Sequence, residues 1–168
     1  MSMMGELQFF GLQIKQTSQG TFVHEAKYTR DLLRKFDMSD LSPQPTPIST
    51  STALDEDLDG EAVDQKEYRS MIGSLLYLTA MRPNIQFGIS LCGRYQASPR
   101  TSHKQVVKRI FRYLKFTPEF DLWYSADSSL VLVGFSDADF GGCRLDRKAI
   151  SCTCQFLGTS LVSWSSRK

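Results

Sequence analysis

Apolar and polar positions follow two different periods along this chain, and the switches between them mark out its elements. In residues 7–23, Phe10, Leu12 and Ile14 alternate against Gly11, Gln13 and Lys15, and a polar turn, Gln16-Thr-Ser-Gln-Gly20, interrupts the pattern. A period of two belongs to a half-buried strand, so the segment reads as a β-hairpin of two short strands. Tyr28, Leu32, Leu33 and Phe36 then recur at helical spacing with Lys27, Arg30, Arg34 and Lys35 between them, which predicts a helix over residues 25–38.

Between residues 40 and 64 the periodicity stops. Pro43, Pro45 and Pro47 alternate in a Ser/Thr-rich run that leads into an acidic cluster. This composition predicts a linker or a long surface loop, which either separates two units or wraps across one. The acidic half reads as a solvated stretch or as a docking site for a specific partner.

Helical spacing resumes at residue 64. Asp64 with Glu67 fits a capping pattern, and Tyr68, Met71, Ile72, Leu75, Leu76 and Thr79 form the apolar stripe of a helix that ends near Arg82, before Pro83. Pro83 suits the first position of a second helix. Its apolar residues Ile85, Phe87, Ile89, Leu91 and Cys92 lie nearly all round, as in a buried helix, with Gly88 and Gly93 placed for close packing. Ser98-Pro99 opens a third helix, which runs to Phe116 and stops before Pro118. Val106, Val107, Ile110, Phe111, Tyr113 and Leu114 fall on one side of it, and Lys104, Lys108, Arg112 and Lys115 on the other. His103 falls on the apolar side, where a hydrogen-bonded packing role is expected. The basic stripe has two readings, a solvated face or a contact for backbone phosphates. Four phosphate contacts predict a slope of log K against log salt of roughly −3 to −4.

Four short β candidates complete the chain, at residues 122–124, 130–136, 149–157 and 161–165, separated by Asp/Ser, Gly-Gly and Gly-Thr turn signals. They predict an antiparallel meander with an open edge. The fold class is therefore α+β: an N-terminal hairpin and helix, a central bundle of about three helices, and C-terminal antiparallel strands. The corresponding units are residues 1–41, a linker at 42–64, 65–118 and 119–168.

Charge sharpens this outline. The 168 residues carry a formal net charge of only +2, but residues 55–67 hold seven acids and one base, whereas residues 82–115 hold eight bases and no acid. So polarised a chain has one surface that attracts polyanions and another that repels them. Every apolar run is broken well short of the ~20 residues of a membrane span, and no basic region precedes an apolar core at the start, so an intracellular protein, cytoplasmic or nuclear and not secreted, is expected. Cys92, Cys143, Cys152 and Cys154 are sparse and fit reduced thiols; Cys152-x-Cys154 alternates as a strand does and lacks the spacing of a zinc knuckle.

The candidate chemistry is at Asp137, which closes the apolar strand Leu130-Val-Leu-Val-Gly-Phe-Ser136 in a setting that suits a metal-binding carboxylate. Two-cation cleavage of a phosphodiester needs several carboxylates converging on metals about 4 Å apart. Asp137, Asp139 and Asp146 are too few and too local for that, so Asp137 reads as one corner of a larger site.

Several blocks in order resemble one family. The run Tyr68-Arg-Ser-Met-Ile-Gly-Ser-Leu-Leu-Tyr-Leu-Thr79, then Arg82-Pro83 and Lys108-Arg-Ile-Phe-Arg-Tyr-Leu-Lys115, is similar to the Pol polyprotein of copia-type LTR retrotransposons. So are Gly134-Phe-Ser-Asp-Ala-Asp-Phe-Gly141, Asp146-Arg-Lys148, Phe156-Leu-Gly158 and Ser163-Trp-Ser-Ser-Arg-Lys168. The resemblance implies that residues 7–41 end a reverse transcriptase, beyond its metal-binding Asp-Asp strand, that residues 68–115 form a connecting region, and that residues 130–168 begin a ribonuclease H domain. It makes Asp137 the first metal-binding carboxylate of that domain and gives Asp139 no ligand role. In the complete parent enzyme the cofactor would be Mg2+ or Mn2+, with none expected to bind tightly here, and the isolated chain is expected to be inactive. The implied partners are an RNA–DNA hybrid or duplex nucleic acid, met through phosphates by Lys104, Lys108, Arg112 and Lys115, and other Pol segments; no membrane is implied. Two departures stand out. The family's Phe-Phe-Leu-Gly is shortened to Phe9-Phe10-Gly11, and its Ser-Thr-Ser-Gly turn is replaced by Ala149-Ile-Ser-Cys152.

Overall fold

The computed structural model describes residues 6–9, 11–49, 54–120, 122–127, 129–139 and 150–167. Two antiparallel sheets flank a helical centre, an α+β arrangement. The first sheet has the order β1 (Glu6–Phe9), β2 (Leu12–Thr17), β3 (Gly20–His24), β4 (Leu122–Ser125). The predicted two-stranded hairpin is thus corrected to three consecutive strands. Phe9 pairs with Leu12, and Gly11, at φ +85°, supplies the left-handed residue that so tight a reversal needs.

β4 also differs from expectation. It joins the first sheet, with Phe22 opposite Trp123 and Val23 opposite Leu122, and leaves a meander of three C-terminal strands where four were expected. Phe22 and Trp123 meet with their rings tilted by 38° and 4.2 Å between centroids, so the cross-strand pair holds the register.

Four helices lie between the sheets in sequence: α1 (Ala26–Lys35), α2 (Gln65–Leu78), α3 (Pro83–Cys92) and α4 (Thr101–Phe116). Two helix starts follow the predicted chemistry, whereas α4 starts at Thr101, after Arg100, and not at the predicted Ser98-Pro99. The Asp64 carboxylate accepts the Glu67 backbone N–H at 2.7 Å, and Pro83 opens α3, where its missing N–H costs no bond. The core is the contact of α2, α3 and α4, where Tyr68, Met71, Leu75, Ile85, Ile110 and Phe111 are fully buried. All six apolar positions expected on α4 are buried. On α2, Leu78 takes the place in the core expected of Leu76, which is exposed.

Residues 39–49 run across α3 and α4. The backbone N–H of Gln44 donates to the Arg112 carbonyl, and Ile48 packs on Gly88. A Cβ at Gly88 would come within 2.9 Å of Ile48 and 3.2 Å of Ile110, so this glycine permits the close approach. Gly93 has no such crowding; it caps α3 and begins a 3-10 turn, Gly93–Tyr95.

The second sheet has the order β5 (Leu132–Asp139), β6 (Ile150–Leu157), β7 (Ser160–Arg167), with an irregularity at Gln155/Phe156. Its seam with the helices is polar at two points: the Trp164 indole donates to the Thr79 carbonyl at 2.8 Å, and Ser90 to the Ser166 carbonyl at 3.3 Å.

Candidate functional site

Asp137 sits near the end of β5, directly opposite Cys152, which in turn is opposite Ser166. Successive strand residues alternate faces, so Phe135 and Asp137 share one face with Cys152, Cys154 and Trp164. Pro83, Gln86 and Phe87 of α3 close over this row and leave a cleft of about 250 Å³ with mainly apolar walls. The Asp137 residue itself is exposed.

Among the described residues, no three His, Cys, Asp or Glu side chains come close enough together to hold a metal ion. Asp137 alone does not fit a two-cation centre, which needs several carboxylates to neutralise and position its ions, and no cleavage step is assigned to this chain. Asp139 ends β5 opposite Ile150, and Asp146 and Cys143 lie outside the described residues. Cys92 is buried, and burial pushes its thiol up to about 12, which suits an inert core residue.

The four basic positions expected to meet phosphates do lie along α4, but three have partners within the chain. Lys104 pairs with Glu67 at 2.6 Å. Arg112 donates from Nε to the Ser42 carbonyl and from Nη2 to the Ser42 hydroxyl, both at 2.6 Å. Lys115 Nζ donates to the carbonyls of Ser39 at 2.5 Å and Leu41 at 2.9 Å. Lys108 is exposed and has no bonded partner among the described residues.

Arg109 was missed by sequence reasoning because it falls between the two faces. It is half-buried, and its Nη2 donates to the Thr46 hydroxyl at 2.8 Å. Residues 39–46 thus form a strap that offers neutral carbonyl and hydroxyl oxygens to a cationic row. The acidic segment lies at the other end of α4, where Ser102 donates to Asp57 and Thr101 N–H to the Glu61 carbonyl. There it complements the positive helix N-terminus.

His103 has the hydrogen-bonded packing role expected of it. Nδ1 accepts the Arg100 N–H at 3.0 Å, Nε2–H donates to the Asp55 carbonyl at 2.8 Å, and the ring stacks on Tyr95 at 4.0 Å. Two buried titratable side chains, Glu25 and Arg82, had no sequence signal beyond the position of Arg82 before Pro83. Glu25, at the start of α1, is 3% exposed and its Oε2 has no hydrogen-bond partner. Burial pushes its carboxyl up to about 7, against the smaller opposing pull of Arg82. Arg82 is itself buried, donates to the carbonyl and hydroxyl of Thr117, and stacks 4.8 Å from the Phe120 ring centre.

The chain is 33% identical over 160 residues to the retrovirus-related Pol polyprotein from transposon RE2 of Arabidopsis thaliana, an alignment that covers 95% of this chain and 11% of that protein. It is 32% identical over 166 residues to an uncharacterized mitochondrial protein of the same plant, covering 95% of this chain and 66% of the relative. To the Pol polyprotein from transposon TNT 1-94 of Nicotiana tabacum it is 28% identical over 169 residues, covering 95% and 13%. The chain therefore spans about a tenth of the Pol polyproteins it matches. No family model matches it, and no solved structure does. Nearly full-length, collinear similarity to several transposon proteins agrees with the motif blocks of the sequence, and the chain belongs to the copia-type retrovirus-related Pol polyproteins.

Proposed function

We propose that this chain is the Pol segment running from the end of the reverse transcriptase, through its connecting helices, into the start of ribonuclease H. The parent would copy RNA into DNA and cleave RNA in RNA–DNA hybrids; the segment alone is inactive. The observation that carries this reading is Asp137. It stands on the strand that the Gly134-Phe-Ser-Asp137 block matches, at the rim of a cleft, with too few carboxylates around it, among the described residues, for two cations. Asp137 would supply one of several ligands in the parent. The test is incubation with a labelled RNA–DNA hybrid in Mg2+ or Mn2+. No cleavage is expected, and cleavage that disappears in D137N overturns the assignment of inactivity.

The same segment meets duplex or hybrid phosphates through α4. Lys108 is its ready contact, and Arg112 and Lys115 become available only when the strap lifts. A closed strap predicts a salt slope of roughly −1, and an open one about −3. Alanine at Lys104, Lys108, Arg112 and Lys115 flattens either slope, and an unchanged slope removes α4 from the interface.

A second reading, docking to other Pol segments, is favoured by the exposed apolar run Leu130, Val131, Leu132 and Phe135. Its test is pull-down by separately produced Pol segments, with loss of capture on placing Ser at Leu132 and Phe135.

A further inference from the structure

Each hydroxyl that the strap offers to an arginine is followed in sequence by proline: Ser42-Pro43 and Thr46-Pro47. Proline fixes φ and removes a backbone donor, which keeps such a segment out of helix and sheet, and residues 42–49 form neither. Ser42, Pro43, Pro45 and Thr46 are exposed, so the two hydroxyls are accessible from solvent.

We propose that Ser42 and Thr46 are phosphorylation sites whose phosphates dock on Arg109, Arg112 and Lys115 and lock the strap onto α4. A proline-directed kinase would transfer the γ-phosphoryl group of a nucleoside triphosphate to Ser42 Oγ or Thr46 Oγ1. The new P–O bond replaces the bridging one, the nucleoside diphosphate leaves, and the hydroxyl proton passes to solvent.

The receiving surface is already built. The Ser42 hydroxyl lies 2.6 Å from Arg112 Nη2, and the Thr46 hydroxyl 2.8 Å from Arg109 Nη2. Arg109 Nε is buried with no acceptor, so one donor of that guanidinium is still unused. Neither arginine nor Lys115 is in a salt bridge among the described residues. Three cations are therefore met by neutral oxygens alone, in a stretch of sequence, residues 82–115, that contains no acid. Two phosphates bring about −3 to −4 charges at neutral pH and six strong acceptor oxygens, which complement that row where hydroxyls do so only weakly. Arginine is the suitable receiver, since its planar fork takes two oxygens of one phosphate.

The regulatory consequence rests on the proposed nucleic-acid role of α4: a clamped, neutralised strap withholds Arg112 and Lys115 from phosphates of a hybrid. The clamp itself is tested without nucleic acid. The full chain is treated with a proline-directed kinase and nucleoside triphosphate, and incorporation at Ser42 and Thr46 is read by mass spectrometry, with S42A/T46A as control. Phosphorus NMR should show both phosphates losing their last proton well below the usual value of about 6, and the melting temperature should rise by about 3–8 °C. Both effects should vanish in R109Q/R112Q, and R112K, which keeps the charge without the fork, should retain part of them. Failure of the folded chain to accept phosphate at either residue, or phosphates that titrate near 6 with no rise in melting temperature, overturns the proposal. Hybrid binding measured afterwards bears only on the α4 interface. Undiminished affinity in a chain whose phosphates are docked refutes the regulatory consequence and leaves the clamp standing.

Discussion

Leu75 on α2 and Leu132 on β5 are the same side chain, each within an apolar stretch of sequence, yet one is fully buried and the other is 67% exposed. In the helical centre every apolar stripe meets another, and the strap closes the gap between α3 and α4 through Ile48 and Gly88. In the C-terminal sheet α3 covers part of one face, beside Trp164, while Leu130 and Val131 ahead of β5, and Leu132 and Phe135 on it, stay exposed. An apolar pattern states which face seeks a partner; burial requires that the partner layer exist.

Substitutions at matched positions test this contrast. The largest effect is expected from L75A, which leaves a cavity in the helical core and should cost about 2–5 kcal/mol in chemical denaturation. A cost below 1 kcal/mol would show that the centre is loosely packed and erase the contrast.

Glu25 probes the junction of the helices with the first sheet. Its folded value of about 7 lies above the ordinary 4.5, so the folded state holds a proton that the unfolded chain has lost. Stability therefore falls as pH rises from about 4.5 to 7, by up to about 3 kcal/mol. E25Q should abolish that fall, gaining stability at pH 7.5 and little at pH 4, as read from denaturation midpoints at both values.

At the seam of the second sheet, W164F removes the indole donor from the Thr79 carbonyl and should cost about 1–2 kcal/mol. The smallest effect belongs to L132T. On the exposed strand it should change stability by less than about 0.5 kcal/mol while lowering aggregation measured by light scattering. A loss comparable to that of L75A would mean that β5 is covered in solution.

The helices were legible because their signals are local. The Asp64 cap, Pro83 at a helix start and the six-residue face of α4 each depend on neighbours within a few turns. β4 was legible as a strand and misplaced in its sheet, because its partner Val23 is remote in sequence and nothing in Leu122-Trp-Tyr names it. The alternating prolines told that residues 43–47 form a loop or linker and nothing of where they lie. That omission altered the reading of α4: the stripe of Lys104, Lys108, Arg112 and Lys115 is real, but the acceptors of Arg112 and Lys115 are backbone carbonyls and a hydroxyl, which every sequence has and none advertises. Asp137 was found through its motif block; its surroundings, an apolar cleft under α3, come from a helix roughly fifty residues earlier in sequence.

The pairing of β3 with β4 has a consequence in time. Val23 and Leu122 are partners, so the entire helical centre is a loop closed by two strands. Closing a disordered loop of roughly a hundred residues is entropically costly, whereas a loop already folded into helices brings its ends together beforehand. The first sheet is thus begun ahead of the helices in sequence and among the last elements of this chain to be completed, with β1, β2 and β3 waiting on helices that must assemble before the fourth strand can arrive.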